Sequence, residues 1–235
     1  MKADKPQLFL LHFAGGNIYS FRAMIPLLTA FDVVPLELPG RGKRSSSPLL
    51  YDFKSAVTDI YEQICAGRNS ARFIIFGHSL GAYLALAVTQ LLEKHLQPPA
   101  FLFTSGNAGP GIRNNTDWHL LDDRDFIEKL TALGGIPPEF LEDEDLMNYY
   151  LPILRADFEL AEKSTFDPFV THVPIYAMMG SQEENTGNIG NWQRFTHASF
   201  RYSLFEGGHF FIHTHPEKIA AIINTYCNSI TSAVK

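Results

Sequence analysis

The chain has few cysteines, no excess of positive charge and no long apolar run, and each shortage excludes a class of protein. Its 235 residues carry 19 Lys and Arg against 25 Asp and Glu, a net charge of -6. With no basic stripe to bind a phosphate backbone, we expect no nucleic-acid partner. The apolar run near the N-terminus ends at His12 and two glycines, too short for a signal segment or a membrane span. We therefore expect a cytoplasmic protein without membrane association, and nothing requires more than a monomer.

The two cysteines, Cys65 and Cys227, lie in separate amphipathic stretches without CxxC spacing and without a histidine at ligand spacing. Free cysteine is commonly a core residue. We predict two reduced, mostly buried thiols, and neither a metal site nor a resident cofactor.

Short apolar runs of strand length alternate with helical periodicities along most of the chain. Because a parallel strand pair needs a crossover connection, this alternation predicts an α/β fold with a mostly parallel central sheet and helices on both faces. The predicted strands are 7–12, 32–38, 72–76, 100–104, 174–179 and 200–205, and the predicted helices between or after them are 21–31, 52–66, 80–96 and 216–231.

The alternation stops at about residues 118–165. Two helical stretches, 123–135 and 142–164, follow one another there with "IPPEF" between them and no strand. We interpret this segment as an insertion that lies over a site at the strand ends as a lid. The whole of 1–235 is otherwise expected to be a single domain.

The sequence "FGHSLGAY" sets Ser79 between Gly77 and Gly81, straight after a strand pattern and straight before a helix pattern. This context is the one that the G-x-S-x-G nucleophile elbow requires, with the serine hydroxyl exposed at the carboxyl end of a strand. Attack on an acyl carbonyl creates an oxyanion, and the Leu80 amide at the helix N-terminus is the natural first donor to it.

A serine nucleophile needs a base, and in this architecture the base follows the serine in the chain, on the loop after the last strand. His209 in "EGGHFF" satisfies this position, because the preceding glycines allow a sharp loop. His213 and His215 are nearer the next helix and are predicted to be surface or capping residues. His78, beside the serine, is predicted to be a packing residue.

The acid that orients the base should lie on the loop after the preceding strand. That loop contains no aspartate, only Glu183 and Glu184, and we predict Glu183 as the acid. The second oxyanion donor should come from the Gly-Gly turn after the first strand, where Ala14 is the first choice and Phe13 the second.

At these motifs the chain resembles the type II thioesterases, the α/β-hydrolase editing enzymes of nonribosomal peptide and polyketide synthesis. The resemblance extends over nearly the whole chain, and no carrier, condensation or adenylation segment flanks it, so we expect a discrete enzyme. The motifs that carry it are "FAGG" (13–16), "LPGRGKR" (38–44), "FGHSLGA" (76–82), "LGGIPPEFL" (133–141), "LPILRADFELAE" (151–162) and "EGGHFF" (206–211).

The resemblance implies that Ser79 attacks a thioester on the phosphopantetheine arm of an acyl or peptidyl carrier protein. His209 then activates water for hydrolysis, and the insertion forms the lid beside the pantetheine channel. The family usually has aspartate as the acid, and its spacing from the "GGH" histidine leads to Glu183 here.

Charged residues of these motifs are candidates for further roles. Asp157 matches a family position and is interpreted as structural, pairing with Arg155 or capping, and as the reserve for the acid. Arg41 and Arg44 are candidates for contact with an acidic carrier surface or with phosphate, or for a structural role.

Two rival functions remain open at this point. A general carboxylesterase or lipase would use the same triad on oxyesters. A catalytically silent protein that docks to a synthase would keep the fold alone.

Overall fold

The computed structural model describes residues 5–112, 117–136 and 142–232, and only the backbone of 227–232. A six-stranded sheet in the order β2-β1-β3-β4-β5-β6 lies at its centre, and all five strand pairings are parallel. Each predicted strand is present within two residues of its expected bounds. The strands are β1 (Gln7–Leu11), β2 (Asp32–Leu36), β3 (Phe73–His78), β4 (Phe101–Ser105), β5 (Ile175–Gly180) and β6 (Phe200–Phe205).

The helices lie in the connections between strands and after the last one. They are α1 (Phe53–Gly67), α2 (Leu80–Lys94), α3 (Asp123–Leu133), α4 (Glu144–Glu162), α5 (Phe211–Thr214) and α6 (Pro216–Ser232). Short 3-10 helices occur at Ile25–Leu27, Gly42–Arg44, Trp118–Leu120 and Thr186–Phe195.

The helix predicted for 21–31 is wrong. The segment forms a 3-10 helix of a single turn, Ile25–Leu27, and the residues on either side of it form hydrogen-bonded turns. Pro26 has no N–H to give to a helical bond and disfavours helical geometry in the residue before it. The apolar residues of this segment nevertheless face the core, since Phe21 and Leu28 are both buried there.

The four inner strands of the central sheet, β1, β3, β4 and β5, are buried on both faces. Along β3, Phe73 and Ile75 belong to one hydrophobic cluster, which α1 and α2 cover, whereas Ile74 and Phe76 belong to the cluster on the other face. Successive side chains of a strand point to opposite faces, so a continuous apolar run is the expected pattern for such a strand. The three-layer α/β architecture predicted from the sequence is therefore present.

The segment that interrupts the alternation contains α3 and α4, as predicted. These helices share a third hydrophobic cluster that includes Phe126, Leu130, Leu154 and Phe158. Residues 137–141, which hold most of "IPPEF", lie outside the described residues. The insertion thus has a small core of its own beside the sheet.

Cys65 is exposed and free, so its predicted burial is wrong. It follows Ile64, a buried residue of α1, and one residue along a helix turns a side chain about 100° away from the buried face. The side chain of Cys227 lies outside what is described. None of the helices in the described ranges is long and apolar enough to cross a bilayer.

Candidate active site

Ser79 lies at the sharp turn between β3 and α2. Its φ of 56° and ψ of -116° are outside the conformations that a non-glycine residue prefers. A Cβ atom at Gly77 would lie 2.0 Å from the Gly81 carbonyl oxygen, and one at Gly81 would lie 2.2 Å from the Leu11 carbonyl oxygen. The two glycines are required because β1, β3 and α2 approach one another closely around the serine.

Ser79 belongs to a chain of hydrogen bonds with His209 and Glu183. The Ser79 Oγ atom lies 3.0 Å from His209 Nε2, and His209 Nδ1 lies 2.8 Å from Glu183 Oε2. The side chains of His209 and Glu183 are only 12% and 9% exposed. The structure thus brings together the three residues that the sequence predicted to act as nucleophile, base and acid.

The loops after β5 and β6 contact each other, which places Glu183 beside His209. A Cβ atom at Gly180 would lie 2.3 Å from the Gly208 carbonyl oxygen. The Gly180 amide donates to Glu183 Oε1 at 2.7 Å, so the carboxylate is held from its own loop as well as from the imidazole. Glu184, the alternative acid, is exposed and lines the neighbouring cavity.

The two predicted oxyanion donors lie on adjacent segments. Leu80 is the first residue of α2, and Ala14 is in the turn after β1, whose last residues pack against Gly81. Within the described parts of the chain, the amides of Ala14 and Leu80 donate to no protein acceptor.

His78 is a packing residue, as expected, and lies behind His209. It is fully buried, its Nδ1 atom lies 2.9 Å from Ser105 Oγ, and its ring centroid lies 5.1 Å from that of His209. Burial holds the pKa of His78 well below its usual value, and the nearby His209 adds to the effect. The imidazole of His78 is accordingly neutral at physiological pH.

Asp157 is buried and forms an ion pair with Arg41, not with Arg155. Residues two apart on a helix point to different sides, so Arg155 pairs with Asp123 instead. Arg41 is 3% exposed and therefore has a structural role, not a carrier contact. Only Arg44, with 31% of its side chain exposed, remains accessible to a partner.

Sequence reasoning missed Asn107, which lies in the turn after β4. Its Nδ2 atom donates to the Ser79 carbonyl oxygen at 2.9 Å, and its Oδ1 atom accepts from the Gly109 amide at 3.0 Å. The sequence feature that could have indicated Asn107 is an amide side chain directly after a predicted strand, in "SGNAGPG" (105–111). Asn107 stabilises the unusual backbone of the elbow.

A cavity of about 570 Å³ opens beside Ser79 and His209. The helical insertion supplies much of its wall, and the stacked rings of Trp118 and Phe158 lie 5.5 Å apart at an interplanar angle of 10°. Apolar walls with a few polar groups are typical of a pocket for a small organic ligand. The lining residues contributed by the insertion are Trp118, Lys129, Ala132, Leu133, Phe158, Ala161 and Glu162.

A serine on a strained strand-to-helix turn, with histidine and carboxylate following on later strand-end loops, defines the α/β-hydrolase class. Residues 6–227 match the sequence profile of the thioesterase domain family. The chain belongs to this thioesterase family.

Individual relatives agree with this assignment. The thioesterase PikA5 of Streptomyces venezuelae is 30% identical over 230 residues, which are 94% of this chain and 78% of that protein. ClbQ from the colibactin NRPS/PKS pathway superposes with a TM-score of 0.90 at 28% identity, covering 97% of this chain and 99% of that chain. The type II thioesterase BorB from the borrelidin biosynthetic cluster gives a TM-score of 0.87 at 27% identity, covering 96% and 94%. The predicted α/β-hydrolase fold and the resemblance to type II thioesterases are both confirmed.

Proposed function

We propose that the protein is a type II editing thioesterase, which hydrolyses acyl thioesters on the phosphopantetheine arm of carrier proteins in nonribosomal peptide or polyketide synthesis. The observation that carries the proposal is the unbroken hydrogen-bonded chain from Ser79 through His209 to Glu183. It is supported by the similarity to ClbQ, which comes from the colibactin NRPS/PKS pathway, and to BorB, a type II thioesterase from the borrelidin biosynthetic cluster.

In the first half of the reaction, Ser79 Oγ attacks the thioester carbonyl while His209 Nε2 takes the hydroxyl proton. The oxyanion of the tetrahedral intermediate accepts from the amides of Leu80 and Ala14. Glu183 accepts from His209 Nδ1–H, which fixes the tautomer and stabilises the imidazolium. Collapse of the intermediate breaks the carbon–sulfur bond, and His209 returns its proton to the departing pantetheine thiol.

In the second half, His209 takes a proton from water, and the resulting hydroxide equivalent attacks the acyl-enzyme carbonyl. The same two amides hold the second oxyanion. Collapse then breaks the bond to Ser79 Oγ, and His209 protonates that oxygen. The products are a free carboxylic acid and the unmodified enzyme.

The proposed partner is an acyl or peptidyl carrier protein, which brings phosphopantetheine as part of the substrate, so the enzyme itself needs neither metal nor cofactor. The helical insertion acts as the lid over the cavity. The enzyme is proposed to act as a monomer in the cytoplasm.

The decisive experiment measures release of an acyl group from an acyl-phosphopantetheinyl carrier protein by wild type and by Ser79→Ala, with a matched oxyester alongside. We expect hydrolysis of the carrier-bound thioester that disappears in Ser79→Ala. Oxyester turnover without carrier activity would establish the carboxylesterase instead.

A catalytically silent docking protein is distinguished by fluorophosphonate labelling. Wild type should be labelled at Ser79, and Ser79→Ala should not be labelled. No labelling of wild type, together with no turnover of either substrate, would refute an enzymatic role.

A further inference from the structure

The turn after β1, residues 13–16, is held first by hydrogen bonds from its own residues and from the residue that precedes it. The Phe13 carbonyl oxygen accepts from the Gly16 amide at 2.9 Å and from His12 Nδ1 at 2.7 Å. In a planar trans peptide the N–H points opposite to the C=O. Fixing the Phe13 carbonyl therefore fixes the direction of the Ala14 N–H.

The next peptide of the turn is fixed from α4. The Gly15 amide donates to Asp157 Oδ2 at 2.7 Å, and Asp157 is fully buried. Gly15 has a φ of 75°, and a Cβ atom there would lie 2.5 Å from Leu154 Cδ2, so the turn lies directly against the helix. The peptide planes on both sides of the Ala14 Cα are thus anchored.

Arg41 holds the carboxylate that makes this contact. It forms a bidentate pair with Asp157, with Nη2 at 2.8 Å from Oδ1 and Nη1 bonded to Oδ2. Arg41 also approaches the Gly16 and Pro39 carbonyl oxygens at 3.5 and 3.4 Å. The "LPGRG" segment therefore reaches the turn after β1 through a buried ion pair.

A buried ion pair is a poor device for stability alone, because apolar residues of similar volume commonly hold two elements together as well or better. An apolar residue at 157, however, has no acceptor for the Gly15 N–H. The distinctive property of this pair is its hydrogen bond to the backbone of the turn that carries the Ala14 amide.

We propose that Asp157, held in place by Arg41, is a positioning residue: it fixes the Ala14–Gly15 peptide on one side of the Ala14 Cα atom, and so keeps the turn in the conformation in which the Ala14 N–H, on the other side, faces the oxyanion. This inference rests on the proposed function. Asp157 does not contact the reacting atoms and acts through the turn.

The test compares two double variants that both lack the ion pair. Arg41→Met with Asp157→Leu removes the acceptor for Gly15 N–H, whereas Arg41→Met with Asp157→Asn retains a carbonyl oxygen there. Because the oxyanion exists only in the transition state, we expect the leucine variant to lose about 10- to 100-fold in kcat, with KM within about 3-fold of wild type. The asparagine variant should remain within about 5-fold of wild type.

Urea unfolding accompanies the kinetics, and Glu159→Gln serves as a control, since it removes an exposed ion pair with Lys163 on the same helix. The control should match wild type in kcat. Equal kcat in the leucine and asparagine variants, or a loss confined to KM, would overturn the proposal.

Two single variants test the proposal even where the leucine variant does not fold. Arg41→Lys and Asp157→Asn both keep an acceptor for the Gly15 amide, so both should stay within about 10-fold of wild type in kcat. A 100-fold loss in an Asp157→Asn variant that unfolds at the same urea concentration as wild type would refute the assigned role, because that variant keeps the acceptor for the Gly15 amide.

The rate of fluorophosphonate labelling at Ser79 separates this inference from the proposed function. Labelling requires a reactive serine and an oxyanion site but no thioester substrate. If wild type were labelled yet hydrolysed no carrier-bound thioester, the proposed substrate would be wrong. The 10- to 100-fold ratio between the double variants would still be measured from labelling.

Discussion

Glu183 Oε2 lies 2.8 Å from His209 Nδ1, a contact made by a side chain one methylene longer than aspartate. The other carboxylate oxygen accepts from the amide of Gly180, three residues earlier in the chain. The side chain therefore folds back toward the end of β5, which takes up the extra length. Both oxygens are hydrogen-bonded, so the carboxylate has a defined orientation toward the imidazole.

Replacing Glu183 by glutamine should lower kcat/KM for an acyl-pantetheine thioester by about 10² to 10⁴-fold. The amide no longer selects the Nδ1–H tautomer of His209 and no longer stabilises the imidazolium, and a comparable amide substitution in serine proteases costs about 10⁴. Steady-state hydrolysis with the soluble thioester measures the loss.

Glu183→Asp is the matched variant for charge. It keeps the carboxylate but shortens the arm, and should retain more activity than Glu183→Gln. Near wild-type activity in Glu183→Gln would exclude Glu183 as the acid, and an equal or larger loss in Glu184→Gln would move the role to Glu184.

Gly77→Ala should destabilise the fold by on the order of 3 kcal/mol or more, because the new Cβ would meet the Gly81 carbonyl at 2.0 Å in a region of tightly packed backbone. Gly187→Ala is the control, since a Cβ there meets nothing within 4 Å and Gly187 has no positive φ. Urea unfolding followed by intrinsic fluorescence measures both. Equal stability of Gly77→Ala and wild type would contradict the steric explanation of the elbow.

The strands and the serine turn were predictable because their signals are local. Each strand is a short run rich in apolar residues, and the four inner strands are buried along their whole length. Ser79 is recognised by its own flanking glycines. His209 was predictable because the order of catalytic residues along the chain is a property of the fold. The prediction of a helix at 21–31 failed because the apolar spacing of this segment fits a helix, and it fits equally well a series of turns that buries the same residues.

Contacts between distant segments were not predictable in this way. The pairing of Arg41 with Asp157 joins residues 116 positions apart, and either residue had nearer charged neighbours in the sequence. Arg41 pairs with Asp157 and not with a nearer carboxylate because both residues are buried against the turn after β1, and only the assembled fold creates that surface. The same holds for Asn107, whose bond to the Ser79 carbonyl depends on β3 and β4 being adjacent.

The free energy of unfolding should fall as the pH is lowered from about 6.5 toward 4. Burial, reinforced by the charge of Arg41, lowers the pKa of His12 from 6.5 to about 4, and burial lowers the pKa of His78 as well. Below pH 6.5 the unfolded chain takes up protons at these residues while the folded chain does not, so the stability present above that pH is lost.

For His12 alone the loss is on the order of 2 kcal/mol between pH 7.5 and pH 5. His12→Asn removes this titration and leaves His78 in place. Urea unfolding at the two pH values should therefore show a smaller decrease in the variant than in wild type. Equal decreases would show that His12 is not held neutral in the folded protein.

Ala161→Leu should shift the enzyme toward short acyl chains. Ala161 lies on α4 and lines the cavity beside Ser79, where the stacked rings of Trp118 and Phe158 form part of the wall. Added methylenes there occupy space that the acyl chain uses in the proposed reaction, and each methylene of substrate excluded from an apolar pocket changes the rate by roughly 10-fold or more. We expect kcat/KM for a decanoyl thioester to fall about 10-fold relative to the acetyl thioester.

The acetyl substrate is the internal control, because a general loss of folded enzyme lowers both rates equally. An unchanged ratio would mean that the acyl chain does not lie against Ala161 during the reaction.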